Sequence, residues 1–315
     1  MRLTIHGLVL YLVPPLLMLG FFPVAFAQNA YQPRHGNPLT EPWRWRHFPE
    51  LSDKEFARFA EGPDQTMWLA FDADDLLLMS YDGYRWQEHG FASPRPIGEV
   101  LALAVAEDGN VYLGGIKGLL KYDGDTWETL LVDNPDQPEV FPSLRIYHIR
   151  SAVGGVMLVA TNYGLLYLEQ SRRIFFTNAK IARYLAAANP SIQFETDAVF
   201  DQNYGRGEAR VNELIAQSPG VFWGFLQTSR QACVTIRVQP KAEVPLSFES
   251  RAGDCKVPRF GLVTHGLQTE KGETWLASET IYRPVYSFDG QRWQGHDLAE
   301  KFSGLNSHHS LVNMA

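Results

Sequence analysis

The chain has 315 residues, of which 20% are charged and 13% aromatic, and it carries a net charge of −7 at pH 7. That balance excludes a disordered tail, and the lack of a basic stripe excludes a nucleic-acid partner. Its two cysteines, Cys233 and Cys255, stand without clustered histidines and make a poor zinc site.

The N-terminus reads as a secretory signal peptide. Arg2 supplies the positive end, residues 8–26 are almost wholly apolar, and Ala25-Phe26-Ala27 offers the small residues a signal peptidase needs. Cleavage is expected before Gln28, which puts the protein in the periplasm or outside the cell. The rival reading is an uncleaved anchor of about twenty residues; Pro14-Pro15 and the Ala-x-Ala site favour cleavage. In an oxidising compartment Cys233 and Cys255 are candidates for a disulfide, the alternative being two buried thiols. Residues 28–41 read as a linker, and residues 42–315 as a β domain.

The β domain repeats itself. Trp68-Leu69-Ala70 leads to Tyr81-Asp82-Gly83-Tyr84-Arg85-Trp86 in a first copy. The second copy is the cleanest. It runs from the strand-like residues 100–106 through Asp108-Gly109, Val111-Tyr112-Leu113 and Gly118-Leu119-Leu120-Lys121-Tyr122 to Asp123-Gly124-Asp125-Thr126-Trp127. Asp-Gly between apolar runs is the strongest short-range hairpin signal. The third copy spans residues 155–168, with Gln170-Ser171-Arg172-Arg173 in place of the Asp-Gly turn. The fourth keeps Gly220-Val221-Phe222-Trp223-Gly224 and is otherwise degenerate; the fifth leads from Thr274-Trp275-Leu276-Ala277 to Phe288-Asp289-Gly290-Gln291-Arg292-Trp293. Four strands per forty residues is the size of one propeller blade. The fold expected is all-β: a β-propeller of four-stranded antiparallel blades, about five to six in number, incomplete or truncated. The third-to-fifth gap leaves room for an insertion near residues 178–207, whose alanine-rich segment 179–188 predicts a short helix ended by Asn189-Pro190.

These segments resemble the two-component regulator propeller repeat. Asp108-Gly109-Asn110-Val111-Tyr112-Leu113-Gly114-Gly115 and the segment from Gly118 through Trp127 match it closely, while Lys271-Gly272-Glu273-Thr274-Trp275 and Gly304-Leu305-Asn306 match it loosely. The resemblance implies an extracytoplasmic sensing domain of a histidine kinase or diguanylate cyclase, non-catalytic in itself. It also implies a membrane-linked output domain beyond Ala315. A small molecule or a saccharide is the expected ligand, with no cofactor. The alternatives are a secreted or periplasmic propeller enzyme acting on glycans, as lyase or hydrolase, and a protein-interaction scaffold.

The residues themselves name no catalytic group and no metal set. The expected ligand surface is the channel mouth, on the face where the insertion projects. Arg206, Arg210 and Arg283 are candidates to meet an anionic ligand, and Tyr204 and Tyr282 to stack on it. The tryptophans at repeat positions are expected to pack between blades rather than bind sugars.

Overall fold

Three hairpins of one design account for the recurring aromatic-Asp-Gly-x-x-Trp segment. In the computed structural model the aromatic residue and the tryptophan stand directly opposite each other across the turn, as Tyr81 with Trp86, Tyr122 with Trp127 and Phe288 with Trp293. Their rings lie 4.8, 4.7 and 4.9 Å apart. In each turn the aspartate Oδ1 accepts two backbone N–H bonds: Asp82 from Tyr84 and Arg85, Asp123 from Asp125 and Thr126, Asp289 from Gln291 and Arg292. The glycine then takes φ values of 94°, 99° and 94° at Gly83, Gly124 and Gly290.

Two expectations follow from this turn. Nothing lies within 4 Å of a Cβ built on Gly124, so the cost of a side chain there is the backbone conformation alone. Gly124→Val is expected to destabilise by about 1 kcal/mol or more, read from urea unfolding, because a β-branched residue resists positive φ. The Thr126 and Asp125 amides and the Thr126 hydroxyl hold the Asp123 carboxyl down to about 2; Asp82 and Asp289 are lowered by the same kind of amide pair. A carboxyl depressed in the folded state stabilises above its unfolded value and loses that contribution as pH falls towards the folded one. The turn should therefore hold at pH 4 and loosen towards about pH 2, with the amide resonances of Asp125 and Thr126 moving together.

The described residues are 48–51, 56–71, 77–90, 97–136, 142–201, 210–226, 232–249, 263–269, 271–278 and 285–296. The chain divides after Asp53 into two units. Among the described residues of the first lies the 3-10 turn Pro49–Leu51. The second holds five sheets. Blade 1 is β1 (Phe56–Glu61), β2 (Met67–Phe71), β3 (Leu77–Tyr81) and β4 (Trp86–Gly90). Blade 2 is β5 (Val100–Val105), β6 (Val111–Gly115), β7 (Gly118–Tyr122) and β8 (Trp127–Val132). Blade 3 is β9 (Ile146–Ala152), β10 (Val156–Thr161), β11 (Gly164–Glu169) and β12 (Arg172–Thr177), extended by β13 (Gln193–Thr196). Blade 4 is β14 (Val211–Ser218), β15 (Val221–Leu226), β16 (Ala232–Val238) and β17 (Leu246–Glu249). Blade 5 is β18 (Val263–Gln268), β19 (Thr274–Ser278), β20 (Val285–Phe288) and β21 (Trp293–His296). This is a five-bladed propeller of antiparallel four-stranded blades.

The first strand of each blade is the inner one. β1 lies beside β5, β5 beside β9, β9 beside β14, and β14 beside β18. All five inner strands bulge at the same place. One extra residue stands there in each: Ala57, Leu101, Tyr147, Asn212 and Thr264. A bulge bends its strand and re-aims the side chains around it. The residues that follow, Arg58, Ala102, His148, Glu213 and His265, therefore share one register position.

Apolar side chains fill the clefts between blades. Leu78 and Ala70 meet Val111, Leu113 and Leu120 between blades 1 and 2. Leu131, Ile149 and Leu166 fill the second cleft, Leu158, Leu214 and Ile236 the third, and Ile215, Leu276 and Tyr286 the fourth. Trp68 and Trp223 pack between blades as expected, while Trp275 packs within its own blade. Trp68 lies against His89 and Tyr122, Trp275 stacks on His296, and Trp223 meets Trp293. His89 also meets the Ser80 hydroxyl at 2.8 Å, and His296 meets Ser287 at the same distance. Burial holds His89 below the usual imidazole range. Cys233, on β16, is disulfide-bonded; Cys255 lies outside the described residues.

Over its described length the insertion packs against the blades. α1 (Ala179–Ala186) starts at Asn178, whose side chain accepts from the Lys180 and Ile181 amides. Ile181, Tyr184, Leu185 and Ile192 are buried with blade 2 and 3 residues. The chain then adds β13, parallel to β12, at the outer edge of blade 3. Phe200 drops into the next cleft, against Phe248 of blade 4. Blade packing thus explains the segment: its apolar side chains seal the clefts on both sides of blade 3. The remainder, residues 202–207, lies outside the described residues.

Candidate functional site

The polar residues of interest gather where β9 and β14 run side by side. His148 and Arg150 are two apart on β9, so they share a face of the strand. Glu213 follows the β14 bulge and is fully buried. Its Oε1 accepts from Arg150 Nη2 at 3.3 Å and from the Leu214 amide at 3.2 Å. Arg150 Nε also donates to the Leu214 carbonyl at 3.2 Å. A matching staple occurs between blades 1 and 2, where Arg58 Nε donates to the Leu101 carbonyl at 2.6 Å. An arginine tying neighbouring inner strands is therefore part of the scaffold. The carboxylate is the addition: at the Glu213 register position blade 2 has only Ala102.

Beside this pair, three buried side-chain atoms lack hydrogen bonds. His148 Nε2 stands 2.9 Å from Glu213 Oε2, yet Oε2 receives no hydrogen bond, so the approach is electrostatic without alignment. Asn212 Oδ1 and Arg210 Nε are likewise buried and unpaired. The Arg210 guanidinium lies over the Tyr147 ring, 4.3 Å from its centre, a cation–π contact. Of the four buried side-chain polar atoms without a hydrogen bond among the described residues, three belong to Arg210, Asn212 and Glu213; the fourth is Trp86 Nε1. Buried polar atoms are almost always satisfied, so three without a hydrogen bond within four residues single this segment out. The set offers one donor, two acceptors and a cation. Among the described residues no group of histidine, cysteine, aspartate and glutamate could hold a metal ion.

Of the expected ligand residues, Arg210 is the one the structure brings into this cluster. Tyr204, Arg206, Tyr282 and Arg283 lie outside the described residues. Tyr147, His148, Arg150, Asn212 and Glu213 were not foreseen. The signal for them is a charged or polar side chain inside an inner strand, where the clean second copy carries alanine.

No family model matches the chain, and no curated protein does. Many solved propellers are similar at a distance. YCF48 from Cyanidioschyzon merolae is 13% identical at a TM-score of 0.49, over 78% of this chain and 70% of that one. A gluconolactonase from Xanthomonas campestris is 10% identical at 0.43, over 78% of this chain and 76% of that one. The extracellular domain of a hybrid two component system from B. thetaiotaomicron is 15% identical at 0.40, over 85% of this chain but 38% of that one. At such identities and scores these likenesses carry no functional argument, and the propeller assignment stands on the sheet topology.

Proposed function

We propose that this protein is an extracytoplasmic ligand-sensing propeller, non-catalytic, that binds a small effector between the inner strands of blades 3 and 4. A membrane-linked output domain would receive the signal. One observation carries the binding reading: Arg210, Asn212 and Glu213, close in sequence, each hold a buried polar atom without a hydrogen bond. Such groups cost stability when left unpaired, by roughly 1–3 kcal/mol each. A ligand that satisfies them recovers that cost. Export and the sensing role rest on the leader-like N-terminus and on the repeat resemblance. A thermal-shift screen of exported metabolites and oligosaccharides against the protein and its Arg210→Met variant tests the reading. The expected result is at least one compound that raises the melting temperature of the native protein and not of the variant. Equal shifts in both for every active compound would place binding elsewhere.

A second reading, a secreted propeller enzyme acting on glycans, is favoured by the His148–Glu213 contact, which sets an imidazole, the commonest general base, 2.9 Å from a buried carboxylate. Turnover of a screened oligosaccharide that is lost in His148→Gln would establish it and overturn the sensor.

A further inference from the structure

We infer that the ligand is a small carboxylic acid carrying an amino or hydroxyl donor beside its carboxylate. The inference rests on the binding site proposed above and adds its chemistry. Arg210 supplies the anion-binding half. Its guanidinium is held over Tyr147 and, among the described residues, has no carboxylate partner, while its buried Nε–H lacks an acceptor. A planar guanidinium with a free N–H edge matches a carboxylate. Asn212 Oδ1 and Glu213 Oε2 supply the other half. Both are acceptors, both belong to buried residues, and neither receives a hydrogen bond, although His148 Nε2 stands 2.9 Å from Glu213 Oε2. They call for an N–H or O–H donor and repel a second carboxylate. Residues 210 and 213 are three apart, so their backbones stand within about 10 Å even if fully extended. One small molecule with adjacent acceptor and donor ends can span them.

The charge pattern agrees. Arg150 faces Glu213 Oε1 and His148 faces Oε2, whereas Arg210 has no carboxylate partner among the described residues. An unsubstituted carboxylate would satisfy Arg210 and leave two acceptors empty. An amine without a carboxylate would do the reverse.

The test uses calorimetric titration and thermal shift with amino acids, the corresponding hydroxy acids, the unsubstituted acids and the corresponding amines. The proteins are the native chain, Arg210→Met and Asn212→Leu. Leucine is the residue blade 2 places at the Asn212 position, so that variant keeps a bulge the fold already tolerates. Binding is expected from at least one amino or hydroxy acid, weakened about tenfold to a hundredfold by either substitution. Amino and hydroxy arms separate the two donor sources. Unsubstituted acids binding as tightly as their substituted forms would overturn the inference, as would no binding by any amino or hydroxy acid. If compounds outside the class bind and lose affinity in both variants, the site stands and its assigned chemistry falls. If binding ignores both variants, the site itself falls.

Discussion

Asn189→Ala is expected to lower stability by about 2–3 kcal/mol, from the unpaired groups it would leave. Asn189 is buried at the end of the insertion helix. Its Oδ1 accepts from the Val132 amide at 2.9 Å, and its Nδ2 donates to the Val132 and Leu185 carbonyls, both at 2.9 Å. Val132 closes β8, the outer strand of blade 2, so the amide side chain acts there as a further strand partner would. Alanine removes all three bonds and strands backbone groups that solvent reaches poorly. The surrounding contacts concentrate the effect: Tyr184 Oη donates to Asp133 Oδ1 at 2.9 Å, and Asn134 Nδ2 donates to the Tyr184 carbonyl at 2.6 Å. Asn189→Asp should be no better than alanine, because a carboxylate would face the two carbonyls that the amide donates to. Urea unfolding of the three proteins reads the difference, and the melting temperature should fall by about 5–10 °C. A loss under about 0.5 kcal/mol would show that the insertion does not clamp blades 2 and 3.

The difference between what the sequence reveals and what it hides is a difference of range. The hairpins were legible because each is local: aromatic, Asp-Gly and Trp lie within six residues and form their own turn. Copies that drift were legible through strand patterning, as at Val221–Leu226 of blade 4. The first copy hides one turn, since Gln65 at φ 66° stands where Gly109 and Gly272 stand in blades 2 and 5. The insertion and its helix are legible in the sequence, but the packing of its described part is not. A segment outside the repeat suggested a binding projection, whereas Ile181, Leu185 and Phe200 spend their apolar surface sealing two clefts. The candidate site was hidden for a harder reason. Arg150 and Glu213 are 63 residues apart in sequence and meet only because consecutive inner strands stand side by side. Nothing near either residue announces the other.

That contact predicts an asymmetric response to substitution. Arg150→Ala should destabilise by about 2–3 kcal/mol, just below the roughly 3–5 kcal/mol for breaking a fully buried ion pair. The discount reflects the arginine's exposure: 41% of its side chain reaches solvent, while Glu213 is fully buried. Removing Arg150 therefore leaves a carboxylate with no water and only an unaligned imidazole near it. Removing Glu213 instead leaves an arginine that can turn to solvent, still able to bond the Leu214 carbonyl. Glu213→Ala should consequently cost less than Arg150→Ala, although it deletes the more buried side chain. Alanine is native at both register positions in blade 2, as Ala102 and Ala104, so the backbone of an inner strand accepts it. The double variant should be more stable than Arg150→Ala alone, since the stranded charge is gone. Urea unfolding of the four proteins closes the cycle. Additive losses, with the double variant the least stable, would mean that the two charges are not coupled.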